Sequence, residues 1–324
     1  MREQDLLKAI LSDPPPISSQ DCRGGAGGVE VVTGPGDDCA VIKPAGMGPL
    51  LVTVDQVIDG LHVTAASTPW DVIGHKAVRR SVSDIAAMAG QPLASVISVV
   101  LPGDAQREQC ELLRKALGEA AAACGAPLVG GDIAVHRHNA AEADGEGAGP
   151  LTLSVTVLGV PTQRGPVLRS GGIVGDRVWT TGVLGRTLDA DGGGHHLHIV
   201  PRVDVALALH EAIGESLHAM IDISDGLGRD GARLAEASRC TMQVRAADVP
   251  RRNGATWQEA LHDGEDYELL CAIACDAEVP PTLCGVPMTC VGELIASDNR
   301  GDMLVVLNDG EVVCGDDAGW DHGK

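Results

Sequence analysis

The chain has 324 residues, of which 44% are hydrophobic, 21% charged and 2% aromatic, with one Tyr and no Phe. That is enough apolar material for one large domain or two domains of about 150 residues with an aliphatic core. It excludes global disorder and aromatic platforms for single-stranded nucleic acid. A net charge of −21, from 24 basic and 45 acidic residues, repels nucleic acid, anionic membranes and any phosphorylated substrate that arrives without cations.

In chain order, Glu3 to Leu11 predicts a short amphipathic helix with no signal-peptide character. Ser12 to Gly28 is rich in Pro and Gly and reads as irregular. Val29 to Val32 predicts a strand, and Leu50 to Asp55 a second, with Leu51, Thr53 and Asp55 on one face. A helix follows, with Thr68 as N-cap, Pro69 at its first position and Gly90 at its end. Its apolar face is Ile73, Ala77, Ser81, Ile85 and Met88, with Asp84 beside it, where a carboxylate needs a partner. Leu93 to Leu101 reads as a strand, Asp104 caps a helix running to Gly125, and Pro127 to Val135 is a strand interrupted by Gly130-Gly131-Asp132. His136 to Gly149 reads as a loop, and Leu151 to Val160 alternates as a strand.

Beyond Pro161 the mixed pattern restarts. Strands are expected at Val174 to Thr181, Ala219 to Ile223, from Val244, and at Tyr267 to Ala274. Helices are expected at Val203 to Ile213, from Gly226 to Ser238, and at Trp257 to Leu261. Gly182 to Val200 has no clear period, and its Gly192-Gly193-Gly194-His195-His196 run reads as a flexible loop in preference to a transition-metal site. The class is α/β or α+β, with domains at 1–161 and 162–324. Ten Cys without a CxxC pair read as buried small hydrophobes in a reducing compartment, and no apolar run approaches the ~20 residues of a membrane span. The expected location is the cytoplasm.

No P-loop or protein-kinase signature is present, and no G-x-G-x-x-G follows a strand into a helix. What stands out is a series of Asp residues at the edges of apolar runs: Asp37, Asp38, Asp55, Asp84, Asp132, Asp222 and Asp225. Singly, each suits a turn or a cap; together they suit Mg²⁺, which takes a few carboxylates plus substrate phosphate oxygens. Ile221-Asp222-Ile223-Ser224-Asp225-Gly226 runs from a strand into a helix start, whose free N–H groups favour phosphate.

These segments resemble the thiamine-monophosphate kinase family of the aminoimidazole-ribonucleotide-synthetase-like (PurM-like) superfamily. The resemblance rests on Gly36-Asp37-Asp38-Cys39-Ala40, Thr53-Val54-Asp55, Asp59-Gly60-Leu61-His62 and Ser83-Asp84-Ile85-Ala86-Ala87-Met88. It continues through Gly130-Gly131-Asp132, Arg169-Ser170-Gly171, Asp222 to Gly226, Gly264-Glu265-Asp266-Tyr267-Glu268-Leu269 and Trp320-Asp321-His322. It implies a two-domain PurM-like fold, a homodimer whose N-terminal sheets join into a barrel-like core, and phosphorylation of thiamine monophosphate by ATP. It further implies that Asp38, Thr53, Val54, Asp55, Asp84, Asp132, Asp222 and Asp225 hold Mg²⁺. Gly131, Asp132, Arg169 and Ser224 would contact ATP; His62, Glu265 and Trp320 the thiamine moiety; and Asp55, Asp222 and Arg169 would carry catalysis. Val54 stands where the family usually has a hydroxyl, so only its backbone carbonyl is left as a ligand. Two other readings are a selenophosphate-synthetase-like enzyme, for which Cys22 lacks an accompanying Lys, and a metal-binding scaffold without catalysis. A hydrogenase-maturation relative would end in Cys, whereas this chain ends Gly323-Lys324.

Overall fold

The computed structural model describes residues 29–136, 149–296, 302–307, 310–315 and 319. The expected N-terminal helix, Cys22, the Gly24 to Gly28 stretch, residues 137–148 and the Trp320-Asp321-His322 motif lie outside the described residues.

Six strands form the first sheet: β1 (Val29–Thr33), β2 (Ala40–Pro44), β3 (Leu50–Ile58), β4 (Gly90–Leu101), β5 (Leu128–Val135) and β6 (Thr152–Pro161). Their order is β1-β2-β3-β6-β4-β5, and only the β4/β5 pair is parallel. Helices α1 (Trp70–Ala87) and α2 (Arg107–Ala123) supply the partners for its inner face. Leu51, Val57, Leu153, Val155 and Val157 alternate inward from the strands and meet Ile73, Val78, Val82 and Ile85 of α1. Each such fully buried aliphatic side chain contributes about 1.5–3 kcal/mol, so the period-2 and period-3.6 patterns are locked together by one core. Among the described residues this sheet is open, with β1 and β5 at its edges. All eight residues of β5 are exposed, Val129, Ile133 and Val135 among them.

The second sheet contains β7 (Arg177–Thr181), β8 (Leu217–Asp222), β9 (Thr241–Arg245), β10 (Leu269–Ile273), β11 (Thr282–Leu283), β12 (Val286–Ile295), β13 (Met303–Val306) and β14 (Val312–Cys314). Its order is β14-β13-β9-β12-β7-β10-β8, with β11 paired to β12. Helices α4 (Leu227–Ser238) and α5 (Trp257–His262) share one core with it; α3 (Val203–Ile213) and the end of α1 share another. Ala86 and Ala87 of α1 lie in that second core, so α1 is packed against both sheets at once. The architecture is the mixed α/β arrangement expected. None of the described helices is long and apolar enough to cross a membrane.

Several boundaries differ from expectation. Pro69 is the N-cap of α1 rather than its first residue, and no side chain caps it. Gly90 does not end α1: Ala89 makes the left-handed turn (φ 49°), and Gly90 opens β4. Gly90 is required by proximity, because a Cβ there would lie 2.3 Å from Leu51 Cδ1. Helix α2 is capped by Gln106 instead of Asp104, with the Gln109 side chain accepting from the Gln106 N–H at 2.9 Å. Strand β5 runs through Gly130-Gly131-Asp132 without interruption. Cys39, Cys240 and Cys271 are buried as expected, but Cys275 and Cys284 are exposed.

Candidate active site

The order of side chains along α1 sets up the site. Lys76, Arg80 and Asp84 fall at every fourth position, on one line of the helix and about 6 Å apart in rise. Each meets a different part of the fold.

Asp84 lies at the acidic end. Carboxylate oxygens of Asp38, Asp84 and Asp222 all fall within 4.8 Å of one another. Asp38 arrives on the turn before β2, Asp84 on α1, and Asp222 at the end of β8, so both sheets contribute. Thr53 Oγ1, pointing inward from β3, donates to Asp84 Oδ2, and Ser83 Oγ donates to Asp222 Oδ2 at 2.5 Å. Burial raises the pKa values of Asp84 and Asp222 well above the ordinary carboxylate range. Neighbouring carboxylates add to this: Asp55 and Asp222 for Asp84, and Asp38 for Asp222. A cluster of hard oxygen donors that cannot all ionise in isolation fits a divalent cation such as Mg²⁺.

Arg169, on the 3₁₀ turn Arg169–Gly171, forks onto Asp38: Nε to Oδ2 at 3.0 Å and Nη2 to Oδ1 at 2.6 Å. Its backbone N–H donates to Asp37 Oδ2 at 3.1 Å. Asp37, read from sequence as a turn former, thus joins the first Asp-rich turn to the Arg169 segment.

Lys76 lies at the other end, with its side chain fully buried. Its ammonium donates to Glu265 Oε2 (2.6 Å) and to the His62 carbonyl (3.0 Å), and lies 2.8 Å from His196 Nδ1. Burial lowers Lys76 to about 8 against the pull of Glu265. For Glu265, burial alone would raise the pKa, but His196, Lys76 and Arg80 outweigh it and hold the carboxyl at about 2. The pair is therefore ionised at neutral pH. His196 also bonds the Gly192 carbonyl at 3.1 Å. The Gly182 to Val200 segment is consequently tied into the site at His196, contrary to the free loop expected from its composition.

Arg80 stands between these ends. It is 3.7 Å from Asp55 and 3.6 Å from Glu265. Beside it opens a cavity of about 330 Å³ lined by Leu61, His62, Arg80, Ser224, Asp225 and Glu265, among others. Glu265 and Tyr267, which shape its wall, both adopt left-handed backbone (φ 64° and 52°). Asp266 between them accepts from the Gly185 N–H at 3.1 Å and from Arg252 at 3.0 Å.

Asp38, Thr53, Asp84, Asp222 and Arg169 therefore converge at one end, and His62, Glu265, Ser224 and Asp225 at the adjoining cavity, with Asp55 beside Arg80. Asp225 is ion-paired to Arg233 at 2.7 Å. The N–H groups of Ser224 and Asp225 donate to Asp230 Oδ2 at 2.9 and 2.8 Å, which orders the turn into α4. The Val54 side chain points away from the site and is 59% exposed. Gly131 and Asp132 do not join the cluster within one chain. The row Asp55–Val155–Ile97–Gly131 crosses three strand gaps, about 14 Å in all. Asp132 pairs with Ser98 one position further along, which puts it on the opposite face.

Sequence reasoning missed Lys76, Arg80, Ser83 and His196. Two cations and an acid repeating every fourth residue beside the apolar face of α1 were the available signal. For His196 there was none, because its partner Glu265 is 69 residues away in the chain.

An acidic cluster drawn from both sheets, a fixed Arg and an adjoining cavity mark an enzyme of the AIR-synthase-related class. Residues 36–161 match the family described as AIR synthase related protein, N-terminal domain. A thiamine-monophosphate kinase of Rhodopirellula baltica is 33% identical over 285 residues, covering 82% of this chain and 84% of the relative. The corresponding Mycobacterium tuberculosis protein is 32% identical over 317 residues, covering 90% and 85%. Among solved structures, AaThiL complexed with AMPPCP and TMP superimposes with a TM-score of 0.74 at 26% identity, covering 98% of this chain and 95% of that one. The chain belongs to the thiamine-monophosphate kinase family.

Proposed function

We propose that the protein transfers the γ-phosphoryl group of ATP to thiamine monophosphate, giving thiamine diphosphate and ADP. The observation that carries this reading is the junction of the Asp38/Asp84/Asp222 cluster with the Glu265 cavity, in a chain of this family. Its relatives are named thiamine-monophosphate kinases, and its structural neighbour AaThiL is complexed with AMPPCP and TMP.

The acceptor is already a phosphate with a second pKa of about 6, so it is largely ionised at pH 7 and needs no strong general base. The barrier is the meeting of two anions. Asp38, Asp84 and Asp222, with Asp55, Thr53 and the Val54 carbonyl beside them, would hold Mg²⁺, which when bound neutralises and aligns the two phosphates. Asp225 would extend this set toward the turn into α4. Arg169, oriented by Asp38, presents a fixed guanidinium to the nucleotide phosphates, and the Ser224 turn adds polar groups at the start of α4. Glu265, kept ionised by Lys76, accepts from the amino group of the thiamine moiety beside His62, and Trp320 covers the ring. Gly131 and Asp132 complete the nucleotide site from a second copy, whose first sheet joins the exposed face and β5 edge of this one. The protein acts as a homodimer in the cytoplasm, with its chain divided near residue 161.

Incubation with ATP, Mg²⁺ and thiamine monophosphate tests the reading, with thiamine diphosphate as the expected product. Asp55→Ala and Asp222→Ala are expected to lose turnover by at least about 100-fold while remaining folded. Nucleotide binding without product would favour the non-catalytic scaffold, and full turnover in both variants would remove these carboxylates from the mechanism.

A further inference from the structure

Arg80 has no role in the scheme above, yet its placement is unusual. Its side chain is only 11% exposed, and its Nε and Nη1 are buried without a hydrogen-bond partner among the described residues. Glu265 Oε1 stands 3.6 Å from Nη1 and Asp55 Oδ1 3.7 Å from Nη2, both beyond hydrogen-bond reach. A desolvated guanidinium left short of acceptors calls for an explanation. The guanidinium lines the cavity beside Glu265 and His62.

Position along α1 supplies the explanation. Lys76, one turn before, holds the Glu265 carboxylate that faces the ring-binding side of the cavity. Asp84, one turn after, belongs to the acidic cluster. Arg80 lies about 6 Å from each in helical rise. In an acceptor that is a phosphate ester of a ring compound, the group that must lie between ring and cation cluster is the phosphate. We infer that Arg80 binds the phosphate group of the acceptor, its planar fork matching two phosphate oxygens. Asp55 and Glu265 hold the fork in place before the acceptor arrives. This assignment rests on the functional reading above and adds to it the residue that distinguishes a phosphorylated from an unphosphorylated ring.

The test compares thiamine monophosphate with thiamine in the wild-type protein and in Arg80→Met and Arg80→Lys. Charge-assisted bonds of this kind correspond to a change of about 10- to 100-fold. Arg80→Met is expected to raise KM for thiamine monophosphate by that factor. KM for ATP and the affinity for thiamine should stay within about threefold, and Arg80→Lys should fall between. If Arg80→Met does not fold, the Arg80→Lys comparison decides alone. Thiamine monophosphate affinity retained within twofold overturns the assignment. So does equal weakening of thiamine and thiamine monophosphate, which would mean that Arg80 only braces Glu265. A wild-type protein that forms no thiamine diphosphate would instead overturn the functional reading, and this assignment with it; an active wild type with unaffected variants sinks the assignment alone.

Discussion

Replacing Asp84 with Asn should stabilise the metal-free protein while abolishing its activity. Asp38, Asp84 and Asp222 bring carboxylate oxygens within 4.8 Å of one another. Two unit charges at that separation repel by about 3.5 kcal/mol at an effective dielectric constant of 20. Part of that repulsion is already relieved by proton uptake, since burial and the neighbouring charges raise Asp84 and Asp222, and Arg169 neutralises Asp38. A net gain of about 1–3 kcal/mol is left for the Asn variant, whose amide oxygen still accepts from Thr53. For a protein of this size the gain corresponds to roughly 1.5–4.5 °C in Tm without metal. Mg²⁺ at about 100 times its Kd should stabilise the wild type by about 2.7 kcal/mol and the variant by far less. Turnover should fall by at least about 100-fold. Thermal unfolding with and without millimolar Mg²⁺, alongside a thiamine diphosphate assay, measures all three. A variant less stable than wild type without metal, yet raised equally by Mg²⁺, would refute the argument that these carboxylates are mutually repelling cation ligands.

Two further outcomes follow from the geometry. Gly171→Ala places a Cβ 1.8 Å from the His218 carbonyl oxygen, so the 3₁₀ turn must move. KM for ATP should rise through loss of the Arg169–Asp38 fork, by about 10-fold or more, and an unchanged KM would show that the turn does not position Arg169. Burial raises Asp230 to about 6 and Asp266 to about 7. The native state therefore holds protons that the unfolded chain has released above pH 4, and stability falls as pH rises through the two values. Metal-free unfolding free energy should drop by about 2–4 kcal/mol between pH 5 and 8, and Asp266→Asn should flatten that slope; stability rising across the window would contradict it.

The elements with a strong internal period were readable from the chain alone. Thr53 and Asp55 share the inward face of β3 with Leu51, as strict alternation requires, and the apolar stripe of α1 from Ile73 to Met88 is buried throughout. Ends were less readable, because they depend on neighbours: α1 stops at Ala87 where Leu51 crosses above Gly90. Asp38, Asp84 and Asp222 gave a local signal, each being an acid at the edge of an apolar run. Lys76 showed only its four-residue spacing from Arg80 and Asp84, and His196 gave no such signal, because its meaning comes from Glu265, 69 residues distant. Asp132 looks like its fellow acids in sequence; only strand order and register separate it from them.

The wall segment Glu265-Asp266-Tyr267 carries a consequence for how this protein can be altered. Two side-chain-bearing residues occupy a backbone region that suits glycine, at a cost of about 1–2 kcal/mol each. Glycine at 265 would relax the chain but delete the carboxylate that Lys76 and His196 surround. It would also leave Lys76 as an unpaired buried cation, a loss of about 3–5 kcal/mol that exceeds the strain relieved, so one carboxylate serves durability and ligand recognition together.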